Sequence, residues 1–149
     1  MTQTEWAHLP NAKHIDWVLA SLKVHPKKWY AARTTAWDAA VPAAWDAAWD
    51  AVYNEAWRAA NNAAWAAAYD VANEAAWLAV FYAARDAIVA LIAYDDCAYM
   101  IESEIDEIKI LAKLGDPRAI LLLPACIVYN ETSVLRHNVH INSVDNKAI

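Results

Sequence analysis

A run of four-residue repeats in the middle of the chain constrains its fold more than any other feature. Between residues 29 and 92 the sequence divides into tetrads such as WDAA, WDAV and WRAA. The first position is usually aromatic, the second polar, and the third and fourth mostly alanine. Residues four apart share one face of an α-helix, so the run predicts helices. The first-position aromatics are Trp29, Trp37, Trp45, Trp49, Tyr53, Trp57, Trp65, Tyr69, Trp77 and Phe81.

The run is too long for a single helix with one apolar face. Four residues turn through about 400°, so the aromatic stripe advances by about 40° with each tetrad. Over roughly five tetrads it therefore reaches the opposite side of the helix. Pro42 suits a first helical turn, and Asn61–Asn62 compete for backbone hydrogen bonds. We predict breaks there, with helices near residues 27–40, 43–60 and 63–93.

The composition favours an all-α fold. Glycine occurs once among 149 residues, whereas alanine, the best helix former, dominates the repeats. There are too few turn signals for a β-sandwich or barrel. We predict one domain over residues 1–149, folded as a compact antiparallel bundle of about five to six helices. Small alanines would allow close helix approach and indoles would fill the gaps, so we expect the Trp stripe to be core.

The flanking segments predict further helices. Asn11 is placed to cap an N-terminal helix over residues 11–24, and a helix pair is expected over residues 103–128. Ser103 followed by Asp106 resembles a capping box at the start of that pair. Residues 130–149 are polar and would form an arm or a tail.

The turn inside this pair carries specific signals. Gly115 lies where a left-handed residue would end one helix, and Asp116–Pro117 predict the N-cap and first position of the next. The apolar stretch Ala119–Val128 predicts a central, buried helix that is kinked or ended near Pro124.

Charge is spread unevenly along the chain, whose formal net charge is −6. An acidic balance disfavours nonspecific nucleic-acid binding, which needs dense Lys and Arg, and would suit a basic protein surface. We define the acidic surface as the carboxylates concentrated after the repeats. Its members are Asp95, Asp96, Glu102, Glu104, Asp106 and Glu107.

The sequence carries few signs of catalysis. Asp95–Asp96 could hold a divalent cation or supply a base, although adjacent residues do not share a helix face and a helix boundary explains them. His137 and His140, with Cys97 and Cys126, lack a zinc motif. Acidic neighbours would raise the pKa of a Cys97 nucleophile. We predict no catalytic residue, no metal and no cofactor.

The cysteines and the N-terminus bear on location. Cys97 and Cys126 lie in apolar surroundings, which is typical of proteins in a reducing compartment. The chain starts without the pattern of a signal peptide, and its apolar runs fall short of the roughly 20 residues that span a bilayer. We expect a soluble protein located in the cytoplasm.

A second interpretation gives some aromatics a ligand. Indole faces stack on nucleobases and guanidinium groups bind phosphates, so a nucleotide or second messenger could be trapped among the tetrads. Arg33 is a further basic residue that could meet a phosphate. Excess aromatics could equally form a homodimer interface. The candidate ligand residues are Trp45, Trp49, Trp57, Trp65, Arg58 and Arg85.

Three stretches, WDAAWDAVYNEAWRAANNAAW, LIAYDDCAYM and KILAKLGDPRAILLLPA, resemble small Ala/Trp-rich helical proteins of bacteriophages and bacteria. The resemblance spans roughly residues 29–124, is compositional, and attaches no activity or site residue. It implies a phage or bacterial origin, and such proteins often bind a host factor. Our first hypothesis is therefore a non-enzymatic inhibitor of a host defence factor, of the anti-CRISPR type, acting through the acidic surface. The alternatives are a nucleotide-binding sponge and a metal-dependent hydrolase using Asp95 and Asp96.

Overall fold

The computed structural model describes residues 6–71 and 76–133, and all regular structure in those ranges is helical. It confirms the all-α bundle, with seven α-helices where five to six were expected. They are α1 (Ala12–Val24), α2 (Pro26–Trp37), α3 (Pro42–Ala51), α4 (Glu55–Val71), α5 (Trp77–Ala93), α6 (Ile105–Lys113) and α7 (Pro117–Thr132), with a 3₁₀ turn over Ala98–Met100. Residues 134–149, including His137, His140 and most of the predicted arm, lie outside the described residues.

The breaks in the tetrad run follow local capping chemistry. Pro42 opens α3 at its first position, as predicted. The break predicted at Asn61–Asn62 is wrong, because both residues lie inside α4. The break comes earlier, where the Oδ1 atom of Asn54 accepts a hydrogen bond from the backbone N–H of Ala56 (2.8 Å). Asparagine costs a helix interior only a few tenths of a kcal/mol, so one good cap upstream outweighs two interior asparagines.

The turn between α6 and α7 is confirmed in detail. Gly115 has φ of 90°, which favours glycine. Its N–H donates to the carbonyl of Ala112 and that of Asp116 to Leu111, the pattern of a Schellman motif. Oδ1 of Asp116 then accepts from the backbone N–H of Arg118 (3.0 Å), and Pro117 takes the first helical position.

Two predicted caps have other roles. The capping box at Ser103 is wrong: Glu104 is the N-cap of α6, and the Ser103 hydroxyl donates to the carbonyl of Tyr99 (2.8 Å). Asn11 precedes α1 as expected but makes no cap bond there. Its side-chain amide donates to the carbonyls of Leu91 (3.0 Å) and Tyr94 (2.9 Å), so it closes the end of α5 instead.

Helices α5 and α7 form the centre of the bundle. They pack against each other, with α1, α2 and α4 around α5, and α2, α3 and α6 around α7. Residues 119–128 are all buried, which confirms the predicted central helix. Pro124 lies inside α7 without ending it. Among the described residues, no helix is long and apolar enough to cross a membrane.

The tetrads bury their fourth position more consistently than their aromatic first position. Trp29, Trp45 and Phe81 are core residues, whereas Tyr53, Trp65 and Tyr69 are exposed, so the prediction of an aromatic core holds for only part of the stripe. The buried fourth-position residues are Ala32, Ala36, Ala48, Val52, Ala56, Ala60, Ala64, Ala68, Val80, Ala84 and Ile88.

Candidate functional site

The acidic surface follows the length of α7. All six of its carboxylates belong to exposed residues. Near one end, Asp96 pairs with Nη1 of Arg118 (3.4 Å), and further along, Glu102 accepts a hydrogen bond from the Tyr129 hydroxyl (3.2 Å). Arg118 and Tyr129 are eleven residues apart on α7, about 16 Å along the helix axis. The segment therefore runs beside α7 and presents its carboxylates outward.

Buried anchors hold this segment to the body of the protein. Cys97, Met100 and Ile101 are buried between the exposed carboxylates. The carbonyl of Ser103 accepts hydrogen bonds from Sγ of Cys126 (3.4 Å) and from the side-chain amide of Asn130 (2.9 Å). Because the backbone is tied down at several points, the carboxylates are carried by a fixed frame.

The residues considered for catalysis lie in two different environments. Asp95 and Asp96 are both exposed, and within the described residues no group of three or more His, Cys, Asp or Glu side chains is arranged to hold a metal ion. Cys97 is buried, with its Sγ 3.4 Å from the carbonyl of Ala90. Burial, more than the acidic neighbours, raises the pKa of Cys97 to about 12, so its thiol stays protonated at neutral pH.

The ligand residues proposed from the sequence are divided by the fold. Trp45, Trp49, Trp57 and Arg85 come together, while Arg58 is exposed elsewhere on α4. Four helices contribute to the assembly, which we call the arginine–tryptophan cluster. Its members are Arg33 and Trp37 of α2, Trp45 and Trp49 of α3, Trp57 of α4, and Tyr82, Arg85 and Asp86 of α5.

Asp86 is the fully buried carboxylate of this cluster. Its Oδ1 atom accepts from Nε (3.3 Å) and Nη2 (3.0 Å) of Arg85 and from Nε1 of Trp49 (3.1 Å). Its Oδ2 atom is buried and has no hydrogen-bond partner within the described part of the chain. Burial raises the pKa of Asp86, and the neighbouring Arg85 opposes that shift.

Both guanidinium groups of the cluster lie over aromatic rings. Arg85 is 4.1 Å from the ring centroid of Trp57 and 4.7 Å from that of Tyr82. Arg33 is 4.8 Å from Trp37, and 5.2 Å from Trp45. Such cation–π contacts are worth about 0.5–2 kcal/mol each, more when water is excluded. The rings therefore hold both cations in place at the meeting of the four helices.

Trp65 belongs to a separate aromatic group. Its ring meets Trp77 edge-on at 4.4 Å and Phe81 at 5.6 Å, and 49% of the residue remains exposed. Phe81 in turn lies 5.6 Å from Arg85, so Trp65 reaches the cluster only through this intermediate ring. Trp65 therefore lies outside the arginine–tryptophan cluster.

The set of candidate ligand residues omitted Trp37, Tyr82 and Asp86. One sequence signal pointed to the last of these, because Arg85–Asp86 interrupts an otherwise apolar stretch of α5. Charges in the middle of a core helix are rare unless they are paired. Tyr82 carried no such signal, since its position in the repeat does not distinguish it from its neighbours.

A groove lies between α6 and the turn that joins α2 to α3. It has a volume of about 570 Å³ and is lined by Thr35, Asp38, Ala39, Ala40, Val41, Lys109 and Lys113. The two lysines are one helical turn apart, so both reach the same side of α6. The groove therefore combines two basic side chains with one acidic side chain, Asp38.

Comparison with known proteins adds no relative. No family model matches the chain, and neither the curated proteins nor the solved structures include a match.

Proposed function

We propose that this chain is a non-enzymatic binding protein whose acidic surface engages a basic face of another protein. The observation that carries the proposal is the alternation of buried anchors and exposed carboxylates between Asp95 and Glu107. A preformed charged surface loses little conformational entropy when it binds, and complementary charge speeds the encounter with a basic partner. The concrete form of the proposal is a phage-encoded inhibitor of a host factor in the bacterial cytoplasm, including defence enzymes. That part rests on the compositional resemblance.

The local electrostatics support a partner of opposite charge. Arg118 is engaged on the body side, by Asp96 and by Asp116 (Nη2 to Oδ2, 3.3 Å). Asp106 and Glu107 occupy the first turn of α6, where negative charge is stabilised by the helix dipole. These two carboxylates are therefore in favourable positions in the free protein.

The test is neutralisation of the acidic surface with a matched control. The variant Glu102→Gln/Glu104→Gln/Asp106→Asn/Glu107→Gln removes four negative charges without adding positive ones. The control Asp38→Asn/Asp46→Asn/Asp50→Asn/Asp70→Asn removes four from exposed residues, one just after α2 and three in α3 and α4. Each is used to capture proteins from a bacterial host lysate, and each is checked by circular dichroism and thermal melting.

We expect a captured protein that is retained by the control, lost by the acidic-surface variant, and released from the parent chain at about 1 M salt, where the Debye length is about 3 Å. Capture that is equal for both variants, or that survives high salt, would show that the acidic surface is not the contact. If both variants bind the partner equally, the exposed aromatics of α4 become the next candidate contact surface.

A further inference from the structure

The side chain of Arg33 is the unusual member of the arginine–tryptophan cluster. Its guanidinium contacts the rings of Trp37, Trp45 and Tyr82, the last at 5.9 Å. Across residues 6–71 and 76–133, no side chain or carbonyl forms a hydrogen bond or ion pair with it, and its Nε atom is buried without a partner. Partial burial lowers the pKa of Arg33. A cation that is partly removed from water and lacks a bonded counter-ion is costly to the folded state.

The nearby carboxylate does not relieve that cost by contact. Asp86 directs Oδ1 at Arg85 and Trp49, and it forms no hydrogen bond with Arg33. Two guanidinium groups therefore lie near one carboxylate, and only that of Arg85 is bonded to it. The aromatic rings offset part of this cost, but the guanidinium still lacks a hydrogen-bonded partner, and local arrangements that lower stability are often functional sites.

The surface beside Arg33 is aromatic and partly open. Trp37 follows Arg33 by four residues, on the same face of α2, and is 39% exposed. Its ring is stacked near those of Trp45 (5.4 Å, 28°) and Trp49 (6.2 Å, 25°). These rings hold Trp37 in one orientation while leaving part of it in contact with solvent. The exposed part of Trp37 is therefore where a planar ligand would have to meet the indole.

We propose that Arg33 and Trp37 form a binding site for a nucleoside phosphate, in which the guanidinium binds the phosphate and the base stacks on the indole. Arginine binds phosphate oxygens through a planar, bidentate donor pair, and base–aromatic stacking contributes about 1–3 kcal/mol. Phosphate binding would supply the directly bonded counter-ion that Arg33 lacks among the described residues. The site is separate from the acidic surface, so it stands or falls independently of the proposed protein partner.

The experiment measures binding of AMP, GMP and a cyclic dinucleotide by calorimetry and tryptophan fluorescence, with adenosine and inorganic phosphate as partial ligands. We expect at least one nucleotide to bind at least tenfold more tightly than either partial ligand. Arg33→Gln should weaken that binding at least tenfold, and Trp37→Leu should remove the preference over inorganic phosphate. Arg33→Lys should recover less than full affinity, because it keeps the charge but loses the planar fork. Melting curves establish that each variant is folded.

Two control variants locate the site. Lys23→Gln removes one positive charge from an exposed position on α1 and should leave the affinity unchanged. Lys109→Gln/Lys113→Gln removes the lysines of the groove beside α6. Loss of binding in that double variant with full binding in Arg33→Gln would place the phosphate in the groove and overturn the proposal. Inorganic phosphate binding as tightly as every nucleotide would overturn the ligand class, and no binding by any of the compounds at about 1 mM would overturn the site.

Discussion

Helices α3 and α4 are built from the same tetrad repeat, yet they bury different members of it. In α3 the buried residues are the first-position Trp45 and the fourth-position Ala48. In α4, each buried residue whose side chain the structure describes is an alanine, while Trp65 and Tyr69 are exposed. The comparison shows that an aromatic repeat does not by itself specify an aromatic core.

The difference follows from helix geometry and from the neighbour of each helix. Along α4 the stripe drifts by about 40° per tetrad, so third-position alanines such as Ala63 and Ala67 join the fourth-position ones on the buried face. That face packs mainly on α5, which also carries alanine at positions 83, 84, 87 and 90. Small side chains on both helices allow close approach, and the large rings are left at the rim of the contact.

The largest expected effect is a difference in the free energy of unfolding between variants of two first-position tryptophans. Trp45→Ala should lower the free energy of unfolding by about 3–5 kcal/mol, because it empties a large volume from the core. Trp65→Ala should cost about 1 kcal/mol, since Trp65 is 49% exposed and loses mainly its edge contact with Trp77. Urea denaturation of both variants measures the difference. Equal losses would mean that α4 is oriented differently, with its aromatics inside.

The next largest effect is expected from removing Arg85, whose guanidinium lies near aromatic rings of both α3 and α4. Arg85→Leu should cost about 3 kcal/mol at pH 7.5, because it leaves the Asp86 carboxylate buried without its ion pair. Burial already raises the pKa of Asp86 above its ordinary 3.8, and removing Arg85, which lowers that pKa, should raise it further.

The pH dependence of this variant has a definite sign. Because the pKa of Asp86 is raised, the folded state keeps a proton that the unfolded chain has already released. The contribution of Asp86 to stability is therefore full below pH 3.8 and is lost as the pH rises through the pKa of the folded state. Denaturation of Arg85→Leu should therefore show a smaller deficit at pH 5 than at pH 7.5. A deficit that is unchanged or grows at pH 5 would contradict the assignment of Asp86 as the stranded charge.

The sequence predicts a feature of this fold correctly where that feature is caused by residues close to it in the chain. Gly115, Asp116–Pro117 and Pro42 act through their own backbone geometry, and each was placed correctly. The sequence predicts the right boundary for Asn11 but the wrong bond, because its acceptors are 80 and 83 residues away at the end of α5. No rule about neighbouring residues could identify that pairing.

Only part of the arginine–tryptophan cluster could be predicted from the sequence, for the same reason. The repeat marks Trp45, Trp49 and Trp57 as aromatic positions, and the candidate ligand residues include them together with Arg85. The hydrogen bond between Trp49 and Asp86 requires contact between α3 and α5. Which aromatics face α5 depends on the drift of the stripe, and this can be worked out only when the true break at residues 52–54 is known. Misplacing that break at Asn61–Asn62 therefore hid which aromatics are core and which are rim.

A smaller effect tests the alanine face of α4 directly. Ala64→Leu should cost about 1–3 kcal/mol, because Ala64 is fully buried and a larger side chain would force the packed helices apart. Ala66→Leu, two residues further along and exposed, should change stability by less than about 0.5 kcal/mol. Thermal melting of the pair gives the comparison. If Ala64→Leu were neutral or stabilising, the close approach of α4 to its neighbours would be wrong.

The smallest expected effect distinguishes Trp49 of α3 from Trp57 of α4, which both contact the buried pair of Arg85 and Asp86. Trp49→Phe keeps an aromatic ring but removes the N–H donor to Asp86, so it should cost about 1 kcal/mol. Trp57→Phe keeps a ring near Arg85 and removes no hydrogen bond found among the described residues, so its cost should be about half as large, from the weaker cation–π contact of a phenyl ring. Both are measured by urea denaturation at pH 7.5. A larger loss for Trp57→Phe would mean that the ring of α4 over the guanidinium, rather than the hydrogen bond from α3, holds Arg85 and Asp86 in place.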